Sequence, residues 1–252
     1  MAGEPQPVEI FIAPDQDPIP VGIRVGNLVH ASRITGADYE NGQLGDGLER
    51  QLELAYGNMR RAVENAGGST DNIAQVSFFL KRFDDRSAIN HGWVKMFPNQ
   101  DDRPTYKFMA ADLPGEQLVQ MEFWAVLGAR RQVINIPGVA HTNPIPMGVK
   151  IGNMVFSSRI LPFDPATGQP PQEFDAQSDA LFHNVGAFLG AAGAQPSDVV
   201  QARLFVMDRA LLPSVERRWN GLFPAGAQRP ALHSVSYGNP ALQVYVELIA
   251  AL

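Results

Sequence analysis

Two glutamates, Glu122 and Glu247, stand in apolar stretches near the ends of the two halves of the chain. Such stretches read as strands, and a carboxylate turned inward from a strand loses its hydration. Desolvation raises a carboxyl pKa toward the range useful for general acid–base work, which makes these two the candidate catalytic residues. The alternative is an outward glutamate on an alternating strand, with no chemical role. Arg103 and Arg229 each precede a proline, so their backbone is extended and loop-like. They suit either an anionic ligand or a solvent-facing structural role.

The remaining inventory narrows the chemistry. There is no cysteine, which removes thiolate nucleophiles, cysteine-ligated metal centres and disulfides. The five histidines, His30, His91, His141, His183 and His233, lack the His-x-x-x-His spacing of a zinc hydrolase, so no metal is expected. The glycines at 42, 45 and 47, and at 186, 190 and 193, fit neither a phosphate loop nor a dinucleotide fingerprint, and Gly-x-Ser-x-Gly does not occur. No cofactor is implied. A net charge of −6 opposes binding to a phosphate backbone, so nucleic acid is not expected as a partner. No stretch approaches the roughly 20 apolar residues of a membrane span. The N-terminus lacks the basic start and apolar run of a secretory signal, and the expected location is cytoplasmic.

The elements that must position these residues occur twice. Val25-Gly26-Asn27-Leu28-Val29-His30-Ala31-Ser32-Arg33-Ile34 returns as Ile151-Gly152-Asn153-Met154-Val155-Phe156-Ser157-Ser158-Arg159-Ile160, 126 residues on. The same offset relates Ala66-Gly67 to Ala192-Gly193, Trp93 to Trp219, Phe97-Pro98 to Phe223-Pro224, Arg103-Pro104 to Arg229-Pro230 and Pro114 to Pro240. One deletion after Pro114 makes Glu247 the counterpart of Glu122. The chain is thus a tandem duplication with expected domains 1–128 and 129–252 and no long linker at the junction. Within one repeat, residues 21–34 predict a hairpin turning at Gly26-Asn27. Leu48, Leu52, Ala55, Met59, Val63 and Ala66 fall on one helical face, with Gly67-Gly68 as the stop. Ile73 to Leu80 predicts a strand, Ser87 to Met96 a short helix closed by Phe97-Pro98, and Tyr106 to Ala110 and Leu118 to Val126 two more strands. Trp93, Trp219, Phe97 and Phe223 are expected in the core. The class is α+β, each domain a mixed sheet with helices packed on one face and the other face needing cover.

This order of motifs, from the Val-Gly-Asn turn through Ala66-Gly67 and Phe97-Pro98 to Leu113-Pro114 and Glu122, resembles the Rid (YjgF-type, L-PSP) family, and both halves carry it. The resemblance implies a chorismate-mutase-like fold, trimeric association and ligand clefts between neighbouring domains. It also implies hydrolysis of reactive enamines or imines to keto acids and ammonia, without a cofactor. The signature arginine that grips the substrate carboxylate in deaminating relatives falls on Thr105 and Ala231, the family tyrosine before the hairpin on Ile19 and Ile145, and the glycine after the strand serine on Arg33 and Arg159. Glu122 and Glu247 stand where the family has its glutamate. Asn90 stands at a family asparagine that becomes Glu216 in the second repeat.

On this resemblance Arg33 and Arg159 line the cleft and hold an acidic ligand from a different wall, or else pair with a nearby carboxylate. Asn90 and Glu216 orient water, or merely keep a helix surface polar. The expected function is hydrolytic deamination of small enamine or imine acids of the 2-aminoacrylate or aminomuconate kind, with a small carboxylate as substrate. The alternative is a protein that binds small carboxylates without turning them over. Closing rings of three domains with two-domain chains requires several copies, so a homotrimer resembling a hexamer of domains is expected.

Overall fold

The computed structural model of the protein describes residues 4–8, 20–226, 229–237 and 241–252. The chain divides into two compact units, Met1–Arg131 and Gln132–Leu252. Ile19 and Pro240, named above for their places in the repeat, lie outside the described residues.

The first unit runs β1 (Gln6–Val8), β2 (Gly22–Val25), β3 (Leu28–Thr35), α1 (Gly47–Asn65), β4 (Ile73–Leu80), α2 (Ile89–Met96), β5 (Thr105–Ala110) and β6 (Val119–Val126). Its sheet has the order β1-β2-β3-β6-β4-β5, with β4 and β5 parallel and the other pairs antiparallel. A parallel pair needs a crossover, and α2 lies on it. The predicted turn joins β2 to β3, with Gly26 at φ 61°, the conformation that a two-residue hairpin asks of its first central residue. Helix α1 buries Leu52, Ala55, Met59, Ala62 and Val63 against the sheet. Tyr56 of α1 and Trp93 of α2 both contact the ring of Phe78, so both helices cover the same face. Trp93 and Phe97 are buried in mutual contact at 4.6 Å, as expected of the core.

The second unit repeats the plan: β7 (Arg131–Ile134), β8 (Gly148–Ile151), β9 (Met154–Ser157), α3 (Phe174–Ala192), β10 (Val199–Val206), α4 (Leu212–Leu222), β11 (Ala231–Ser236) and β12 (Val244–Ala251). The strand order is β11-β10-β12-β9-β8-β7, again with a parallel pair at the β5-like edge, β10 with β11. Trp219 and Phe223 are buried in contact at 4.3 Å. Both units are therefore α+β with a mixed six-stranded sheet.

Two details depart from the sequence expectation. The short helix begins at Ile89, because Phe83–Ala88 winds as a tighter 3-10 segment before it. Strands β1 and β7, short edge strands, were not foreseen from the sequence pattern.

Each sheet also carries a bulge where the repeated serine–arginine pair sits. Ala31 lies opposite Phe123, but Ile34 opposite Met121, so β3 holds one extra residue across Ser32-Arg33. In the second unit Phe156 faces Ile249 while Ile160 bridges Val246, which puts the extra residue among Ser157, Ser158 and Arg159. Arg33 has φ 53°, the one non-glycine in the left-handed region among the described residues. A glycine is the residue that adopts this backbone without cost.

Candidate functional site

Alternation along β12 sends Val246, Leu248 and Ala250 into the core beneath the helices and leaves Tyr245 and Glu247 on the other face of the sheet. The register sets Glu247 opposite Arg203 of β10, and Arg203 opposite His233 of β11. The bulge brings Arg159 to the same place. Its Nε lies 3.3 Å from Glu247 Oε1, and Arg203 Nη1 lies 3.5 Å from Glu247 Oε2. Glu247 is only 4% exposed, so its charge is buried with a cation on each oxygen.

Three aromatic rings wall this cluster. The Arg159 guanidinium carbon stands 5.4 Å from the ring centre of Phe205, 5.2 Å from that of Tyr245 and 5.9 Å from that of Tyr237. Phe205 and Tyr245 are stacked at 4.7 Å, and burial pushes the Tyr245 phenol upward from its ordinary pKa, keeping it protonated.

Hydrogen bonds of the two serines that precede Arg159 fix the bulge. Ser157 Oγ accepts from the Leu248 backbone N–H at 2.8 Å. Ser158 Oγ donates to the Met147 carbonyl at 2.8 Å and lies 2.6 Å from His141 Nε2. A serine has one proton, and the carbonyl takes it, so His141 donates from Nε2 and, when neutral, carries its hydrogen there. Burial, reinforced by the charge of Arg159, lowers the His141 pKa to about 4.

The first unit presents a different set at the matching positions. Glu122 is half-buried, faces Ser77 of β4 and has Lys107 one strand further along. The His30 ring packs on Trp124 at 4.2 Å. Burial lowers the His30 pKa, while the Glu122 charge raises it and the Lys107 charge lowers it, which brings the three together electrostatically. Arg33 is exposed on its bulge. Ser77 thus stands where the second unit has Arg203, Gln120 where it has Tyr245 and Ala111 where it has Tyr237.

The other expected site residues fall as follows. Arg103 Nε donates to the Phe97 carbonyl at 2.7 Å and Nη2 to that of Pro98 at 3.0 Å. Arg229 does the same to Pro224 at 3.1 Å and reaches Asn220 Oδ1 at 3.1 Å. Both guanidiniums hold the Phe-Pro turn they follow. Asn90 Oδ1 accepts from the Tyr106 hydroxyl at 2.6 Å, between α2 and the sheet. Glu216 is exposed on α4, Thr105 is fully buried at the start of β5, Ala231 is exposed at the start of β11, and Ile145 is half-buried. Arg203, His141, Phe205, Tyr237 and Tyr245 join the cluster without having been singled out. Alternation in Gln201-Ala202-Arg203-Leu204 does show Arg203 on the face away from the core, but only the register reveals Glu247 as its neighbour. Among the described residues no group of three or more His, Asp or Glu is placed to hold a metal ion. No helix among them is long and apolar enough to cross a membrane.

Comparison with known proteins matches both units. The family model for endoribonuclease L-PSP matches residues 19–127 and again 139–252. The 2-iminobutanoate/2-iminopropanoate deaminase of Escherichia coli K12 is 31% identical over 112 residues, covering 44% of this chain and 88% of that protein. Reactive Intermediate Deaminase A, chloroplastic, of Arabidopsis thaliana is 29% identical over 114 residues, covering 45% of this chain and 61% of that protein. The crystal structure of the Escherichia coli YjgF gene product is similar over 48% of this chain and 98% of its own, at 29% identity and a TM-score of 0.43. With a family match over most of its length, once in each unit, the chain belongs to the endoribonuclease L-PSP (Rid, YjgF-type) family, as a tandem of two of its domains.

Proposed function

We propose that the protein is a cofactor-independent hydrolase of small enamine or imine acids, and that the cluster around Glu247 is its reacting centre. The observation that carries this reading is a buried carboxylate held between two guanidiniums on a sheet face walled by aromatic rings. The deaminase names of relatives at about 30% identity support the reaction class. An imine carbon bearing a carboxylate adds water to form a carbinolamine, which collapses to the keto acid and ammonia. Glu247 accepts a hydrogen bond from the attacking water and fixes its approach. Arginine forks hold the substrate carboxylate: Arg159 and Arg203 stand beside Glu247 for that role in the second unit, and Arg33 takes it in the first. Glu122 is the corresponding water-holding group of the first unit.

Ammonia release from 2-aminoacrylate or 2-iminobutanoate generated in place tests the reading, and a rate equal to the buffer blank refutes it. Glu247→Gln is expected to lower turnover by about 100-fold or more, in the range of losing one positioned group. Comparing it with Glu122→Gln assigns the activity between the units. A second reading is favoured by the same ion pairs, since Glu247 already gives each oxygen to a cation: the protein binds small carboxylates and releases them unchanged. Carboxylates that raise the unfolding temperature and are recovered intact, with no ammonia from any imine, would establish that reading.

A further inference from the structure

The Glu247 cluster combines two guanidiniums with one carboxylate, so these three groups together carry a positive charge. Its buried and accessible members are different in kind. The side chain of Arg159 is 16% exposed and that of Arg203 31%, while Phe205 and Tyr245 are buried and Tyr237 is 37% exposed. Within one chain the Arg203 guanidinium and the Tyr237 ring are therefore the most accessible members of the cluster. Tyr237 lies four residues on from His233, the Cα partner of Arg203, and one past the end of β11, about 13 Å further along. Arg159 spans the interval, lying over the Tyr237 ring at one end and sharing Glu247 with Arg203 at the other. A guanidinium fork recognises a carboxylate, and an arginine backed by rings rewards a flat, polarisable body more than a puckered saturated one.

Resting on the deaminase reading of this site, we propose that the second unit selects carboxylic acids with a planar, conjugated body, Arg203 receiving the carboxylate and Tyr237 the flat remainder. The first unit, with Ser77, Gln120 and Ala111 at the matching positions, lacks this guanidinium and these two rings and does not share the preference.

Benzoate and cyclohexanecarboxylate serve as probes, alike in charge and size and unlike in planarity, titrated calorimetrically into the full chain. Benzoate is expected to bind several-fold more tightly. Arg203→Ser, which installs the residue of the first unit, is expected to weaken benzoate by about tenfold or more, as for losing a charged hydrogen-bond partner. Tyr237→Leu, which keeps apolar area without a ring, is expected to bring the two probes together. Equal affinities in the unaltered protein, no binding of benzoate, or full affinity in Arg203→Ser would each overturn the proposal. Should Arg203→Ser not fold, Arg203→Lys keeps the charge and loses the fork; an intermediate loss supports the proposal and unchanged affinity overturns it. Benzoate selectivity without ammonia release from any imine supports this site while ending the deaminase reading, and ammonia release without selectivity does the reverse.

Discussion

At the scale of single residues, His141 makes the stability of the protein depend on pH in one direction. Its pKa is about 4 in the fold against an ordinary 6.5, so the unfolded chain takes up the proton first. The contribution of neutral His141 is complete above pH 6.5 and is lost as pH falls toward 4, ~3 kcal/mol in all. His30, also lowered by burial, acts in the same sense. His141→Gln keeps a donor for Ser158 and should flatten this acid limb, which urea midpoints at pH 7 and pH 5 will measure; an unchanged slope would refute the assignment. Arg33 gives a second residue-scale expectation. Its left-handed backbone costs a side chain about 1 kcal/mol, so Arg33→Gly should raise the urea midpoint slightly, whereas Arg159→Gly, which removes a cation from buried Glu247, should lower stability. The sequence made Glu247 visible through its apolar strand. Arg203 and His141 stayed hidden because their importance lies in strand register and in a loop contact, neither of which leaves a periodic trace.

At the scale of elements, the offset of 126 residues located most strands and helices because each local signal was seen twice. What it missed were β1 and β7, short edge strands with too few residues to show an alternation. The packing of α2 on α1 yields a sharper expectation. The backbone of Gly92 lies against the ring of Tyr56, so close that a Cβ would strike it, and Tyr56 is itself tied by its hydroxyl to the Ile89 carbonyl at 2.8 Å. Gly92→Ala should therefore destabilise the first unit by ~1–3 kcal/mol despite improving helix propensity. Thermal unfolding checks this, and a gain in stability would show that Tyr56 is free to move. Gly57, where a Cβ meets open space, should accept alanine without such a penalty and serves as the control.

At the scale of the whole molecule, each sheet has one face covered by helices and one on which Glu122 or Glu247 lies. We propose that these faces are completed by other copies of the chain in a homotrimer, so light scattering should give about three times 27.5 kDa. A mass near one chain would remove this proposal and leave the Glu247 cluster to act alone. The duplication itself bears on what such an assembly can be. Separate identical subunits must all change together when their gene changes, so every copy of a site in a simple homo-oligomer is the same site. Here Ser77 and Arg203 occupy matching places on one polypeptide, and each was able to drift without the other. Joining the copies end to end lets the two units carry different surfaces, always in equal numbers and made in a single round of translation.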